Sequence, residues 1–141
     1  MNPNRLNKSI PKQTLSKAVC IDLDATLARY EKWEGEKVFG KALDGAQQFT
    51  RAIKNRGLRI IILTSRCWPF APDGTPRDAE ANKQRVKEWL QANGIVFDEI
   101  HGKPIAAAYV DDRAVAVRKN PPPGEYARAL AEIEQLTGTE S

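Results

Sequence analysis

The feature that most constrains the fold is a short apolar run, residues 18–21, that ends abruptly in Asp22 and Asp24. An uninterrupted apolar run of this kind is typical of a parallel strand buried on both faces, and its polar end marks the carboxyl edge of a sheet. Residues 58–63 repeat the pattern, and residues 44–56 between them show helical spacing, with Gly57 placed to end the helix. The sequence therefore predicts a strand, helix, strand unit with a right-handed crossover.

The rest of the chain continues this alternation. Residues 75–78 contain a threonine that can cap a helix, a proline suited to the first helical position and an acid suited to the first turn. They predict a helix that runs to about Asn93, with Gly94 ending it. Short apolar runs predict further strands at residues 96–100, 106–110 and 114–117, and helical spacing predicts a last helix over residues 125–136. We therefore expect an α/β fold, a three-layer Rossmann-like parallel sheet with helices on both faces.

Length and charge suggest one soluble domain. The 141 residues suit a single domain, residues 18–141, preceded by a basic leader, residues 1–17, that we expect to be flexible. Four of the 22 basic residues lie in the leader, which leaves 18 to balance the 18 acidic ones, so a solvated tail is favoured over a nucleic-acid arm. No apolar run approaches the roughly 18 residues that span a bilayer, and no secretory signal precedes the domain, so we expect no membrane partner and a cytoplasmic location. The oligomeric state is open.

Polar residues follow three predicted strands at the edge where parallel α/β sheets bind ligands. The groups are Asp22 and Asp24, then Thr64, Ser65 and Arg66, then Asp111 and Asp112. Four carboxylates gathered without a counter-ion would repel one another, so the cluster calls for a divalent cation. Oxygen ligands without His or Cys favour Mg²⁺ over zinc.

Four segments in this order resemble the motifs of the haloacid dehalogenase-like (HAD) hydrolases. They are Asp22-Leu23-Asp24-Ala25-Thr26, Leu63-Thr64-Ser65, Gly102-Lys103-Pro104 and Tyr109-Val110-Asp111-Asp112-Arg113, and the resemblance spans residues 18–117. It implies a HAD-like fold and a phosphatase, that is, a phosphoric monoester hydrolase. The gaps after Asp24 and after Thr64 are too short for a cap domain, so we expect none.

The resemblance also implies roles for individual residues. Asp22 would be the nucleophile that forms an aspartyl phosphate, and Asp24 would protonate the leaving oxygen and then deprotonate water. The phosphate-binding residues would be Thr64, Ser65, Arg66 and Lys103. The magnesium ligands would be Asp22, Asp24, Asp111 and Asp112, with either of the last two in direct contact.

Simpler interpretations exist for each residue alone. Adjacent acids such as Asp111 and Asp112 usually form a solvated loop, and Thr64 with Ser65 could merely start a helix. His101 is favoured as a turn residue, and Cys67 as an incidental thiol. The sequence departs from the family pattern at Ala25, where glycine is common, and in its doubled aspartate.

The substrate is constrained only weakly. Residues 28–40, here called the flap, carry aromatic and basic side chains that could stack on a base, or could simply anchor a hairpin. Arg66 and Arg113 resemble those of polynucleotide 3′-phosphatase domains and small nucleotide phosphatases. We therefore expect a small phosphorylated substrate, a nucleotide or a nucleic-acid 3′-end phosphate. The alternatives are a sugar-phosphate phosphatase of the same family and a catalytically silent binding module.

Overall fold

The computed structural model describes residues 17–140, so the leader lies outside it except for Lys17. The elements in chain order are β1 (Ala18–Ile21), α1 (Ala46–Asn55), β2 (Arg59–Thr64), a short 3₁₀ helix (Ser65–Cys67), α2 (Ala79–Ala92), β3 (Glu99–Gly102) and α3 (Pro123–Thr137). Alternating strands and helices confirm the α/β class. None of the helices within residues 17–140 is long and apolar enough to cross a bilayer.

The sheet has three parallel strands in the order β1, β2, β3. Ile21 of β1 pairs with Ile62 of β2, and Thr64 at the end of β2 pairs with Gly102 at the end of β3. The third strand begins later than the sequence predicts because the Asp98 side chain intervenes. Its carboxylate accepts the Ile60 N–H at 2.8 Å, which replaces the ladder hydrogen bond of an earlier strand start.

The strand predicted at residues 106–110 is absent. This segment has no regular structure, and Val110 is fully exposed. Three consecutive alanines favour a strand poorly, and Tyr109 folds back so that its hydroxyl donates to the Pro104 carbonyl. The strand suggested at residues 114–117 is absent as well, although Val115 and Val117 pack against the core.

The three predicted helices are all present in the structure, but each begins at a different residue from the one predicted. Gly45, at φ 90°, caps α1, so the helix begins after it rather than at Asp44. Asp78 caps α2 by accepting the Ala81 N–H at 3.0 Å, whereas Thr75 bonds to Asp73 instead. The proline at the first position of α3 extends that helix two residues before its predicted start.

The core lies on one face of the sheet. Side chains from all three helices join Ile21, Ile60, Ile62 and Ile100 in one buried cluster. On the opposite face Cys20 is exposed and Ile61 is half-buried, and both lie outside this cluster. Helices on both faces, and a first strand buried on both faces, are therefore wrong for residues 17–140, where the described elements form two layers.

Lys17 belongs to the folded domain rather than to the leader. Its carbonyl accepts the Arg59 N–H at 2.9 Å, and its Nζ donates to the carbonyl of Thr137 at 2.6 Å.

Candidate active site

Asp22 lies directly after β1, at the carboxyl edge of the sheet. Its side chain is 37% exposed, and its Oδ2 is 3.9 Å from Lys103 Nζ. Burial raises the pKa of the Asp22 carboxyl, and the Lys103 charge and the Leu23 N–H offset this only in part. A further positive charge beside Asp22 would lower this pKa.

Lys103 lies next to Asp22 because β3 ends beside β2. Its backbone N–H donates to the Thr64 carbonyl at 3.0 Å, which continues the strand pairing by one residue. Its Nζ also lies 4.1 Å from the centre of the Tyr109 ring. The side chain is 20% exposed, so Lys103 is a positioned cation at the strand edge rather than a freely solvated surface lysine.

Thr64 ends β2 and is buried. Its Oγ accepts the Arg66 N–H at 3.2 Å, which caps the short 3₁₀ helix that Ser65 begins. The simpler interpretation, a helix start, is therefore observed. A hydroxyl that accepts one hydrogen bond keeps its own hydrogen to donate, so this capping role is compatible with phosphate binding.

Arg66 makes its contacts inside the protein. It is 5% exposed, and its guanidinium forms a bidentate ion pair with Asp24, with Nε to Oδ2 at 2.7 Å and Nη2 to Oδ1 at 3.0 Å. It also donates to two flap carbonyls, those of Glu36 and Val38. In this arrangement the contacts predicted with phosphate are replaced by contacts with Asp24 and the flap.

The flap is anchored at both ends. Ala28 bridges Ala42 in antiparallel fashion, and a Cβ at Gly40 would lie 1.8 Å from the Arg29 carbonyl oxygen, so only glycine fits there. Trp89 of α2 donates its indole N–H to the Gly40 carbonyl at 3.1 Å. Phe39 of the flap stacks on Trp89, which agrees with a hydrophobic anchor for a hairpin, while Trp33 of the flap stays 48% exposed.

Asn120 is a site residue that the sequence did not indicate. Its N–H donates to the Ala25 carbonyl, and its side chain pairs with both the N–H and the carbonyl of Tyr30, at 2.8 and 2.9 Å. Ala25 and Asn120 have positive φ values, 67° and 51°. The turn that carries Asp24 is thus held in a left-handed conformation by a distant residue, and an isolated asparagine between Lys119 and a proline run gave no sequence signal for this.

Asp111 and Asp112 are exposed. Asp111 Oδ1 accepts the Arg113 N–H at 2.8 Å, the local turn of the simpler interpretation. Within residues 17–140, no three His, Cys, Asp or Glu residues lie close enough together to hold a metal ion. The structure therefore does not gather this pair with Asp22 and Asp24.

Two further residues that the sequence singled out are His101 and Cys67. His101 is exposed on β3, 3.8 Å from Glu99. Cys67 is buried, and burial raises the pKa of its thiol to about 11, so it is not a thiolate nucleophile. A groove of about 230 Å³ lies between α1 and α3, and Asp22 is not among its lining residues.

Comparison with known proteins supports the fold. No known family profile and no curated protein matches the chain. The chain is similar to a target protein from Vibrio cholerae that is known from its crystal structure, with 25% sequence identity and a TM-score of 0.58. The similarity covers 86% of this chain and 97% of that one. This likeness extends over nearly the whole domain and carries no information about activity.

Proposed function

We propose that this protein is a Mg²⁺-dependent phosphomonoester hydrolase of the HAD-like type, without a cap domain and active in the cytoplasm. Its favoured substrate would be a nucleotide or a nucleic-acid 3′-end phosphate. The observation that carries this proposal is the pairing of Asp22 with Lys103 beside the end of β2. A half-exposed carboxylate with a positioned lysine 3.9 Å away suits a nucleophile that attacks an anionic phosphoryl group.

The residues suit magnesium by their donor chemistry. The Asp22 carboxylate, the Asp24 carbonyl and the carboxylates of Asp111 and Asp112 are hard oxygen donors, and a further positive charge would lower the pKa of Asp22, which burial raises. A bound Mg²⁺ would supply charge neutralisation for the phosphoryl oxygens. Residues 104–117 would have to move to bring the aspartate pair to Asp22.

The first chemical step that we propose forms an Asp22–phosphorus bond. An Asp22 oxygen attacks phosphorus, the ester oxygen leaves, and Asp24 gives that oxygen its proton. Both Asp24 oxygens accept from Arg66, and this ion pair favours the ionised carboxylate. The proton that Asp24 donates must therefore first be taken up at a free lone-pair site of that carboxylate. Lys103 and the Thr64 hydroxyl would stabilise the charge that develops on the phosphoryl oxygens.

The second step releases the phosphate. Asp24, now ionised, removes a proton from water, and the water oxygen attacks phosphorus. The bond between Asp22 and phosphorus breaks, which frees inorganic phosphate and restores both carboxyl groups to their starting states.

The test of this function is phosphate release from p-nitrophenyl phosphate with Mg²⁺ present. Asp22→Asn should abolish release, and chelation of Mg²⁺ should do so in the wild-type protein. Asp44→Asn, which changes an exposed acid before α1, is the matched control and should keep full activity. Full activity in Asp22→Asn would refute the nucleophile.

A substrate panel would separate the expected substrate from the sugar-phosphate alternative. It would compare 3′-phosphorylated oligonucleotides, nucleoside monophosphates and sugar phosphates at equal concentration. We expect the first two classes to show the higher kcat/KM. A folded protein that binds Mg²⁺ and hydrolyses none of them would favour the silent binding module.

A further inference from the structure

Arg66 is a buried cation with no role of its own in the proposed reaction. Its guanidinium donates to four oxygen atoms, two on the Asp24 carboxylate and one on each of the Glu36 and Val38 carbonyls. The first pair belongs to the turn after β1, and the second pair belongs to the flap. One planar group therefore joins two segments that are separate along the chain.

The geometry fixes both segments relative to each other. A bidentate arginine fork holds both oxygens of a carboxylate, so it sets the orientation of the Asp24 carboxylate as well as its position. The same Nη2 atom that bonds Asp24 at 3.0 Å also donates to the Val38 carbonyl at 2.9 Å. A flap that moved away would withdraw one acceptor from that nitrogen and disturb the fork.

Aromatic rings of the flap enclose the guanidinium. Its central carbon lies 3.9 Å from the centre of the Phe39 ring and 5.0 Å from that of Trp33. Arginine stacks on such rings through its flat, weakly hydrated face, which lysine does not reproduce. Phe39 also stacks on Trp89, with ring centres 6.1 Å apart, so the enclosure extends to α2.

We propose that Arg66 is a positioning residue that couples the flap to Asp24. When the flap lies over Arg66, the fork holds the Asp24 carboxylate in one orientation, and displacement of the flap releases it. The significance of this coupling for catalysis rests on the proposed function, in which Asp24 transfers the proton. The coupling itself does not depend on it.

The first experiment measures the coupling without substrate, through tryptic cleavage within the flap at Arg29, Lys32 and Lys37. Asp24→Asn keeps the side-chain shape and removes the charge that the fork binds. We expect flap cleavage to rise roughly tenfold, as loss of a charge-assisted hydrogen bond would allow. Asp22→Asn alters the neighbouring carboxylate that does not touch Arg66, so its cleavage rate should equal that of the wild type.

Arg66→Lys should raise flap cleavage at least as much, and adding Asp24→Asn to it should raise it little further. If Arg66→Lys does not fold, Asp24→Asn alone decides the question. A wild-type cleavage rate in folded Asp24→Asn would overturn the coupling, and so would fully additive effects of the two changes.

The second experiment tests the consequence for proton transfer. An alkyl phosphate such as glycerol phosphate has a poor leaving group and needs an acid, whereas p-nitrophenyl phosphate needs it much less. Arg66→Lys should therefore lower kcat for the alkyl ester roughly tenfold more than for the aryl ester. Arg85→Lys is the matched control, because Arg85 lies 3.8 Å from Glu36 of the flap and is not among the hydrogen-bond partners of Asp24.

The outcomes separate this inference from the proposed function. Equal loss of both activities in Arg66→Lys, with flap cleavage unchanged, would overturn the positioning role. If the wild-type protein hydrolyses neither ester, the proposed function fails, and the flap-cleavage experiment still decides whether Arg66 couples the two segments.

Discussion

Replacing Ala25 with glycine should stabilise the protein. Ala25 has φ 67°, a left-handed conformation in which a Cβ crowds the following carbonyl at a cost of about 1–2 kcal/mol. Glycine removes that cost and adds about 0.5–1 kcal/mol of backbone entropy lost on folding. The free energy of unfolding should therefore rise by about 0.5–1 kcal/mol, the difference between these two effects.

Urea unfolding would measure this change. The midpoint should move to higher urea at an unchanged slope, since the surface exposed on unfolding stays the same. Ala127→Gly, on the exposed side of α3, is the matched control and should lower stability by about 1 kcal/mol.

Asn120→Gly gives an internal contrast. Asn120 also has a positive φ, 51°, but its side chain makes two hydrogen bonds to the backbone of Tyr30. Replacing Asn120 with glycine should lower stability by about 1–2 kcal/mol, even though glycine adopts a positive φ at lower cost, because both hydrogen bonds are lost. If glycine at position 25 destabilised the protein as much as at position 127, the reasoning from the left-handed turn would be refuted.

Three further predictions concern the sheet edge and its supports. Gly102→Ala would place a Cβ 2.6 Å from the Cys67 carbonyl oxygen, so it should displace Lys103, lower phosphate release and lower stability by about 1–3 kcal/mol, whereas Gly124→Ala, with open space around it, should not. Burial raises the pKa of Asp98, but hydrogen bonds from Lys54 and the Ile60 N–H outweigh it and lower the pKa overall. The stability that Asp98 contributes is therefore present at neutral pH and lost as pH falls below its unfolded value of about 3.9. Asp98→Asn should cost about 1 kcal/mol at pH 7 and progressively less as pH falls through the acid range, measured by urea unfolding at each pH. Magnesium should slow amide hydrogen exchange in residues 104–117 in the wild type and not in the Asp111→Asn, Asp112→Asn double variant, and equal exchange with and without Mg²⁺ would contradict the proposed ligands.

The sequence predicted the bounds of helices and strands best where the local residue pattern and the burial agree. The apolar run of residues 18–21 is a strand with the predicted bounds, and Gly94, at φ 65°, follows α2 as expected. The predicted helix starts were wrong because several neighbouring polar residues can each cap a helix, and the sequence does not show which one does. Asp78, rather than the predicted Thr75, caps α2, because Asp78 directly precedes the helix and its side chain accepts the Ala81 N–H.

The failures at longer range have a different cause. An apolar run such as residues 106–110 fits either a strand or an exposed segment, and what decides between them is whether another strand lies in reach. Likewise, the sequence placed Arg66 at the candidate site but did not indicate that Asp24 would be its partner, because ion pairs between distant residues leave no periodic signal. Asp22 was expected at this edge because it directly follows an apolar strand, whereas Lys103 was indicated only by the resemblance to the HAD-like hydrolases.

The segment after Lys103 contributes little to the core until Val115. Val110 is fully exposed, and Ile105 and Tyr109 are also exposed. Changes in sequence, and even in length, should therefore be tolerated there at little expense to folding. Apart from the proposed ligands Asp111 and Asp112, the stretch after Lys103 is thus the part of the domain whose sequence the fold constrains least.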